Sequence, residues 1–205
     1  MASSTYSYSV ADGHGLPHDP LPAILGPRPI GWISTVNQHG RANLAPYSFF
    51  NIINYRPPIL IFSSVGKKDS VRNAQDTGHF VYNLATRPLA ELVNDSSTEI
   101  PGIDEFEATG LTPVPSIHVA SPRVAESPVS LECEVISVQQ LSGLNGRLLD
   151  TWMVMGEVVG VHINSAFLKD GVYDTASARP ILRGGGPTDY FEILKSGLFH
   201  MTRPK

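Results

Sequence analysis

Lys67-Lys68-Asp69-Ser70 sets two ammonium groups ahead of a carboxylate and a hydroxyl, and the next residues have helical spacing: Val71, Ala74 and Gln75, closed by Gly78. Lysines beside the unpaired N–H groups of a helix start suit an anion such as a phosphate. Asp69 is expected to cap the N–H groups of Val71 or Arg72, which leaves the first N–H groups and the Ser70 hydroxyl to face that anion. About twenty residues upstream, Tyr47-Ser48-Phe49-Phe50-Asn51 combines aromatic surface with a hydroxyl and an amide. Such a loop suits a planar ligand with a polar edge. Two lysines before a helix are more often plain solvated charge, and Tyr47–Asn51 could be a strand with aromatic core residues. Their closeness to one another favours one anionic, planar, phosphorylated ligand.

The elements that must position these groups read as strands. Ile30–Val36 is β-rich, turns at Asn37-Gln-His-Gly40 and returns through Ala42–Ala45. After the Pro57-Pro58 break, Ile59–Ser63 is a short buried strand. The helix from Asp69 ends at Gly78, and Phe80–Leu84 is again a strand. Leu89–Val93 reads as a short helix. Val129–Val135 alternates apolar and polar, and the alternation slips at Ile136 and Val138, as at a bulge or in a strand buried on both faces. Trp152–Ile163 is a long apolar strand. Many strands with few short helices argue against a doubly wound α/β sheet and for a β-barrel.

Composition excludes several chemistries. The 205 residues carry a net charge of −4 without a block of like charge, so neither nucleic acid nor an anionic membrane is an expected partner. No apolar run approaches the roughly 18 residues of a membrane span. The opening residues lack a secretory signal pattern, and a soluble cytoplasmic protein is expected. Cys133 is the only cysteine, so an inert buried thiol is its default reading. His14 and His18 lie four apart in a Gly/Pro-rich arm, a poor metal site, and no metal is expected. There is no nucleotide P-loop, since the position five residues before Gly66 is Ile61, and no Gly-x-Gly-x-x-Gly, since Gly184–Gly186 runs into Pro187. A nicotinamide nucleotide would therefore have to share the pocket of the planar ligand.

Five segments, Arg28-Pro-Ile-Gly-Trp-Ile-Ser-Thr35, Asn43–Asn51, Ile59–Ser64, Lys67–Asn73 and Gly78–Leu84, together resemble the flavin reductase-like, FMN-binding split-barrel family. The likeness runs from about Arg28 to Glu157 and more loosely to Tyr190. It implies a mainly β chain, an FMN-binding split β-barrel with a few short helices. Residues 1–25 would form an N-terminal arm, 26–166 the barrel, and 167–205 an extension packed on the barrel or dimer. It also implies that Lys68, Asp69 and Ser70 hold the FMN phosphate, and that Tyr47, Ser48, Phe49, Phe50, Asn51 and Ser63 follow the isoalloxazine edge. Trp32, Ser34 and Thr35 would lie on a strand beside the ring. Asn83, inside the apolar strand Phe80–Leu84, is either a ladder residue or a further edge partner, and Arg183, near Tyr190, would stand at the mouth. The activity implied is hydride transfer from NADH or NADPH to FMN in a homodimer, with a possible downstream electron acceptor. No catalytic acid–base residue is expected, because the cofactor carries the chemistry. The alternatives are a flavin-binding electron carrier without nicotinamide activity, or a split barrel that takes another ligand such as haem.

Overall fold

The computed structural model describes residues 4–98, 100 and 103–204. After a short helix, α1 (Leu21–Ile24), the chain enters β1 (Arg28–Pro29), β2 (Gly31–Val36), β3 (Ala42–Tyr47), β4 (Phe50–Tyr55) and β5 (Pro58–Val65). Helix α2 (Asp69–Thr77), β6 (His79–Leu84), α3 (Ala90–Asp95) and α4 (Glu105–Thr109) come next. Two short strands, β7 (Pro113–Val114) and β8 (Arg123–Val124), precede the long hairpin of β9 (Val129–Ser142) and β10 (Leu148–Ile163). The chain closes with β11 (Leu168–Lys169), β12 (Val172–Tyr173), β13 (Ile181–Arg183) and β14 (Tyr190–Glu192).

Seven strands form one antiparallel sheet in the order β3-β2-β6-β9-β10-β5-β4. Consecutive strands β3 and β4 thus sit at its two ends, joined only by Ser48 and Phe49. The sheet must roll for so short a link to span it. It does: Tyr47 on β3 packs on Phe62 of β5 with ring centroids 4.9 Å apart, and its hydroxyl bonds the Ser64 side chain of the same strand. The result is a split barrel, mainly β with a few short helices, as expected.

Inside, Ile33, Tyr47, Leu60, Phe62, Phe80, Cys133 and Val154 meet Val71 and Ala74 of α2, the apolar face of a helix that plugs the barrel. The expected end signal operates, since Gly78 takes φ 79° and its N–H closes the helix on Ala74 O. The start differs from expectation. Lys68 occupies the cap position, Asp69 is the first helical residue, and its carboxylate pairs with the Arg72 guanidinium instead of backbone N–H groups. A strong cation one turn along outcompetes the helix start. A second core, with Trp32, Leu44, Val93, Phe106 and Ile181, lies where α3, α4 and β13 cover the outside of β2 and β3.

The slip in β9 has a plain cause. Met155 faces Ser137 and Gly156 faces Val135, so Ile136 is the extra residue of a bulge. A different feature was hidden from the alternation. Ser130 and Glu132, on the expected solvent face, are buried because the loop joining β7 to β8 folds over the outside of the sheet. Glu132 accepts from the N–H groups of Ile117 (2.9 Å), His118 (2.6 Å) and Val119 (3.1 Å), and its Oε1 lies 2.5 Å from His162 Nε2. Burial alone would raise the pKa of this carboxyl. The donors outweigh burial and hold it down to about 2.

Candidate active site

Two hollows take walls from residues adjacent in the chain at the β3–β4 link. The first, about 330 Å³, is walled by residues that include Asn43, Tyr47, Gly66, Lys67, Lys68, Asp69, Ser70, Arg72 and Glu105. The second, about 430 Å³, lies between Arg28, Ser48, Phe49, Phe50, Asn51, Ser63 and Met153. Neighbours in the chain divide between them: Tyr47 lines the first, Ser48 the second.

The start of α2 shapes the first hollow. Val71 and Arg72 donate to Lys68 O, which leaves the N–H groups of Asp69 and Ser70 without an intrahelical acceptor. Three basic side chains line the hollow against two acidic ones, so it keeps an excess of positive charge. Burial also raises the pKa of Glu105, only partly offset by the Leu44 N–H that it accepts at 3.1 Å. Lys67 does not point its charge freely, because its Nζ lies 4.7 Å from the Trp152 ring centre. The Ser70 hydroxyl is not open to an anion as expected. It is buried, accepts from Asn43 Nδ2 at 2.9 Å and bonds Tyr47. Burial raises the Tyr47 phenol pKa, with the Ser70 and Ser64 hydroxyls pulling against it. Ser70 therefore serves the hollow through its backbone.

In the second hollow, Phe50 stacks on Tyr82 with centroids 4.8 Å apart and planes 5° from parallel. Gly31 permits this, since a β-carbon there would stand 2.4 Å from the Phe50 ring. Phe49 is exposed, Asn51 Oδ1 accepts its neighbour's N–H from Ile52 at 2.8 Å, and Ser63 lies on the outer face of β5. The arrangement offers aromatic edges, hydroxyl and amide groups, and one guanidinium.

Four expected ring contacts lie elsewhere. Trp32, Ser34, Thr35 and Asn83 are fully buried and line neither hollow. Trp32 Nε1 donates to Ser96 Oγ at 2.9 Å, and Thr35 accepts from Asn73 at 3.0 Å. Asn83 donates to Ser34 Oγ (3.0 Å) and accepts from Val124 N–H and Ser130 Oγ (both 2.9 Å), while Ser34 donates to Pro122 O. Ser34 and Asn83 are thus spent on holding the covering loop, while Trp32 and Thr35 are bound to the end of α3 and to α2. Arg183 lines neither hollow, although its backbone pairs with that of Arg28. Its guanidinium turns back on the carbonyls of Gly186, Pro187 and Asp189 and lies 4.9 Å from the Tyr190 ring centre.

Sequence reasoning missed Asn43, Glu105 and Arg28 as walls. Arg28 heads the Arg28–Thr35 segment and Asn43 the Asn43–Asn51 segment, so a signal existed for both. Glu105 comes from a helix far along the chain and had none.

Comparison with known proteins agrees with this architecture. The family model described as a flavin reductase like domain matches residues 26–181. An uncharacterized protein of Halalkalibacterium halodurans is 39% identical over 171 residues, 80% of each chain. Among solved structures, nitrilotriacetate monooxygenase component B from Bacillus cereus superposes with a TM-score of 0.82 at 26% identity over 98% of each chain. The 2-nitrobenzoate 2-nitroreductase of Pseudomonas fluorescens does so with 0.78 at 27% identity, over 90% of this chain and 88% of its own.

Proposed function

We propose a function from the premise that this chain belongs to the flavin reductase-like family: it binds FMN across the two hollows and takes hydride onto it from NADH or NADPH. The observation that carries the reading is that Tyr47 and Ser48, neighbours in the chain, line a basic hollow at a helix start and an aromatic hollow with polar edges. Lys68 and the N–H groups of Asp69 and Ser70 hold the phosphate. Ser48, Asn51 and Ser63 meet the polar edge of the ring, and Phe49 and Phe50 its flat surface. When bound, the flavin supplies the hydride chemistry. The chain binds, orients and excludes water.

The protein acts as a homodimer in this reading. Edge strand β4 presents Ile52, Ile53 and Tyr55 to solvent, and Val65 stands exposed at the end of neighbouring β5. Stable interfaces of the obligate kind bury on the order of 2,000 Å² or more. Electrons pass on to a separate acceptor.

Fluorescence titration of FMN against riboflavin tests the site. Lys68→Ala removes a charge-assisted hydrogen bond worth roughly 1.5–3 kcal/mol, so FMN affinity should fall about ten- to a hundredfold. Riboflavin, without a phosphate, should hardly respond. Equal losses for both ligands would remove Lys68 from the phosphate. Addition of NADH or NADPH without oxygen should bleach the bound flavin. A flavin that is retained but not bleached would favour an electron carrier instead.

A further inference from the structure

The aromatic hollow has one ionisable wall. Of the residues that line it, Arg28 alone carries a charge; the rest are aliphatic, aromatic, hydroxyl, amide or thioether. The guanidinium is fixed from behind. Nε donates to Ser48 O at 3.2 Å, Nη1 to Pro22 O, and Nη2 approaches Ser48 Oγ at 3.5 Å. Its centre lies 5.6 Å from the Phe49 ring centroid. These acceptors orient the group without neutralising it, and no carboxylate among the described residues forms an ion pair with it. A guanidinium has five N–H groups. Three are directed at these partners, so two remain. A part-buried charge held in a fixed orientation acts on charge that develops beside it.

We propose that Arg28 is the residue that sets the charge preference of a flavin bound here. It donates its two remaining N–H groups to the polar edge of the ring and favours the reduced ring carrying one negative charge over the neutral oxidised ring. The inference rests on the reading that a flavin ring occupies this hollow. Charge then balances simply: two electrons and one proton reach the ring, and the second proton stays in solution. Ser48 is the positioning residue, since its carbonyl and hydroxyl hold the guanidinium. Lysine keeps the charge at this position but not the fork.

Wild type, Arg28→Met and Arg28→Lys, each loaded with FMN, provide the test. Fluorescence titration gives the affinity for oxidised FMN, and dye equilibration gives the midpoint potential. Arg28→Met should weaken binding of oxidised FMN and weaken binding of the reduced ring about tenfold more. For a two-electron couple that is a fall of about 30 mV. Arg28→Lys should lose less. An unchanged potential in Arg28→Met with FMN still bound overturns the proposal and leaves Arg28 as scaffold. If Arg28→Met does not fold, the wild type decides alone. One proton per two electrons gives a slope of about 30 mV per pH unit between about pH 5.5 and 6.5, and two protons give about 60 mV and refute it. A wild type that binds no flavin refutes instead the reading on which this inference rests.

Discussion

Replacement of Glu132 by Gln probes the loop that roofs the outer face of the sheet. The carboxylate is fully buried and meets three backbone N–H groups and His162. Glutamine keeps one acceptor oxygen and turns an NH2 toward donors, so about two of the four contacts lose their acceptor. Each orphaned donor costs roughly 1–3 kcal/mol, which gives a loss of about 3 kcal/mol. In a domain of this size, that corresponds to a fall in Tm of roughly 6–12 °C at pH 7. The pH dependence separates charge from shape. A carboxyl whose folded pKa is depressed contributes stability above its unfolded pKa and loses it as pH falls through the folded value. With the Glu132 carboxyl held at about 2, the wild-type advantage should be full at neutral pH and shrink between about pH 4.5 and 2. Urea denaturation of both proteins across that range is the assay. A gap that stays constant with pH, or a Glu132→Gln protein as stable as wild type, would refute the account of a charge-stabilised nest.

Three further outcomes are expected from the same geometry. Glu105→Gln removes a negative charge from the basic hollow while keeping an oxygen for Leu44, so FMN should bind a few-fold tighter and riboflavin should not change, by fluorescence titration. Gly78→Ala places a β-carbon at φ 79° and should cost about 1 kcal/mol in chemical denaturation without altering flavin affinity. Cys133 is fully buried and burial pushes its thiol pKa up, so the folded protein should resist thiol reagents that label it at once in denaturant.

Legibility in the sequence tracked distance along the chain. The end of α2 at Gly78 and the bulge at Ile136 are written in neighbouring residues, and both stand where the pattern puts them. The lysine segment before α2 and the aromatic segment are each local, and each lines a hollow of its own. What period-two reasoning cannot see is a third layer. Ser34, Asn83, Ser130 and Glu132 read as strand polar residues, available either to solvent or to a ligand. A loop forty residues or more from Ser34 and Asn83 claims their hydrogen bonds, with Asn83 Oδ1 bound to Val124 and Ser34 to Pro122. Asp69 fails for the opposite reason. Its competitor was only three residues away, and a guanidinium at that spacing offers more than two backbone donors.

The two-residue link between β3 and β4 gives the molecule a buckle. Around the rest of the barrel the strands are laced edge to edge, but across this gap β3 is fastened to β5 by side chains, with Tyr47 against Phe62 and its hydroxyl on Ser64. A molecule lodged beside Ser48 and Phe49 grips both straps at once. Occupancy and closure then become one event, and each increment of binding free energy is also resistance to the barrel unrolling. Such a site can change its tenant by altering the buckle alone, while the plugged interior behind it carries on untouched.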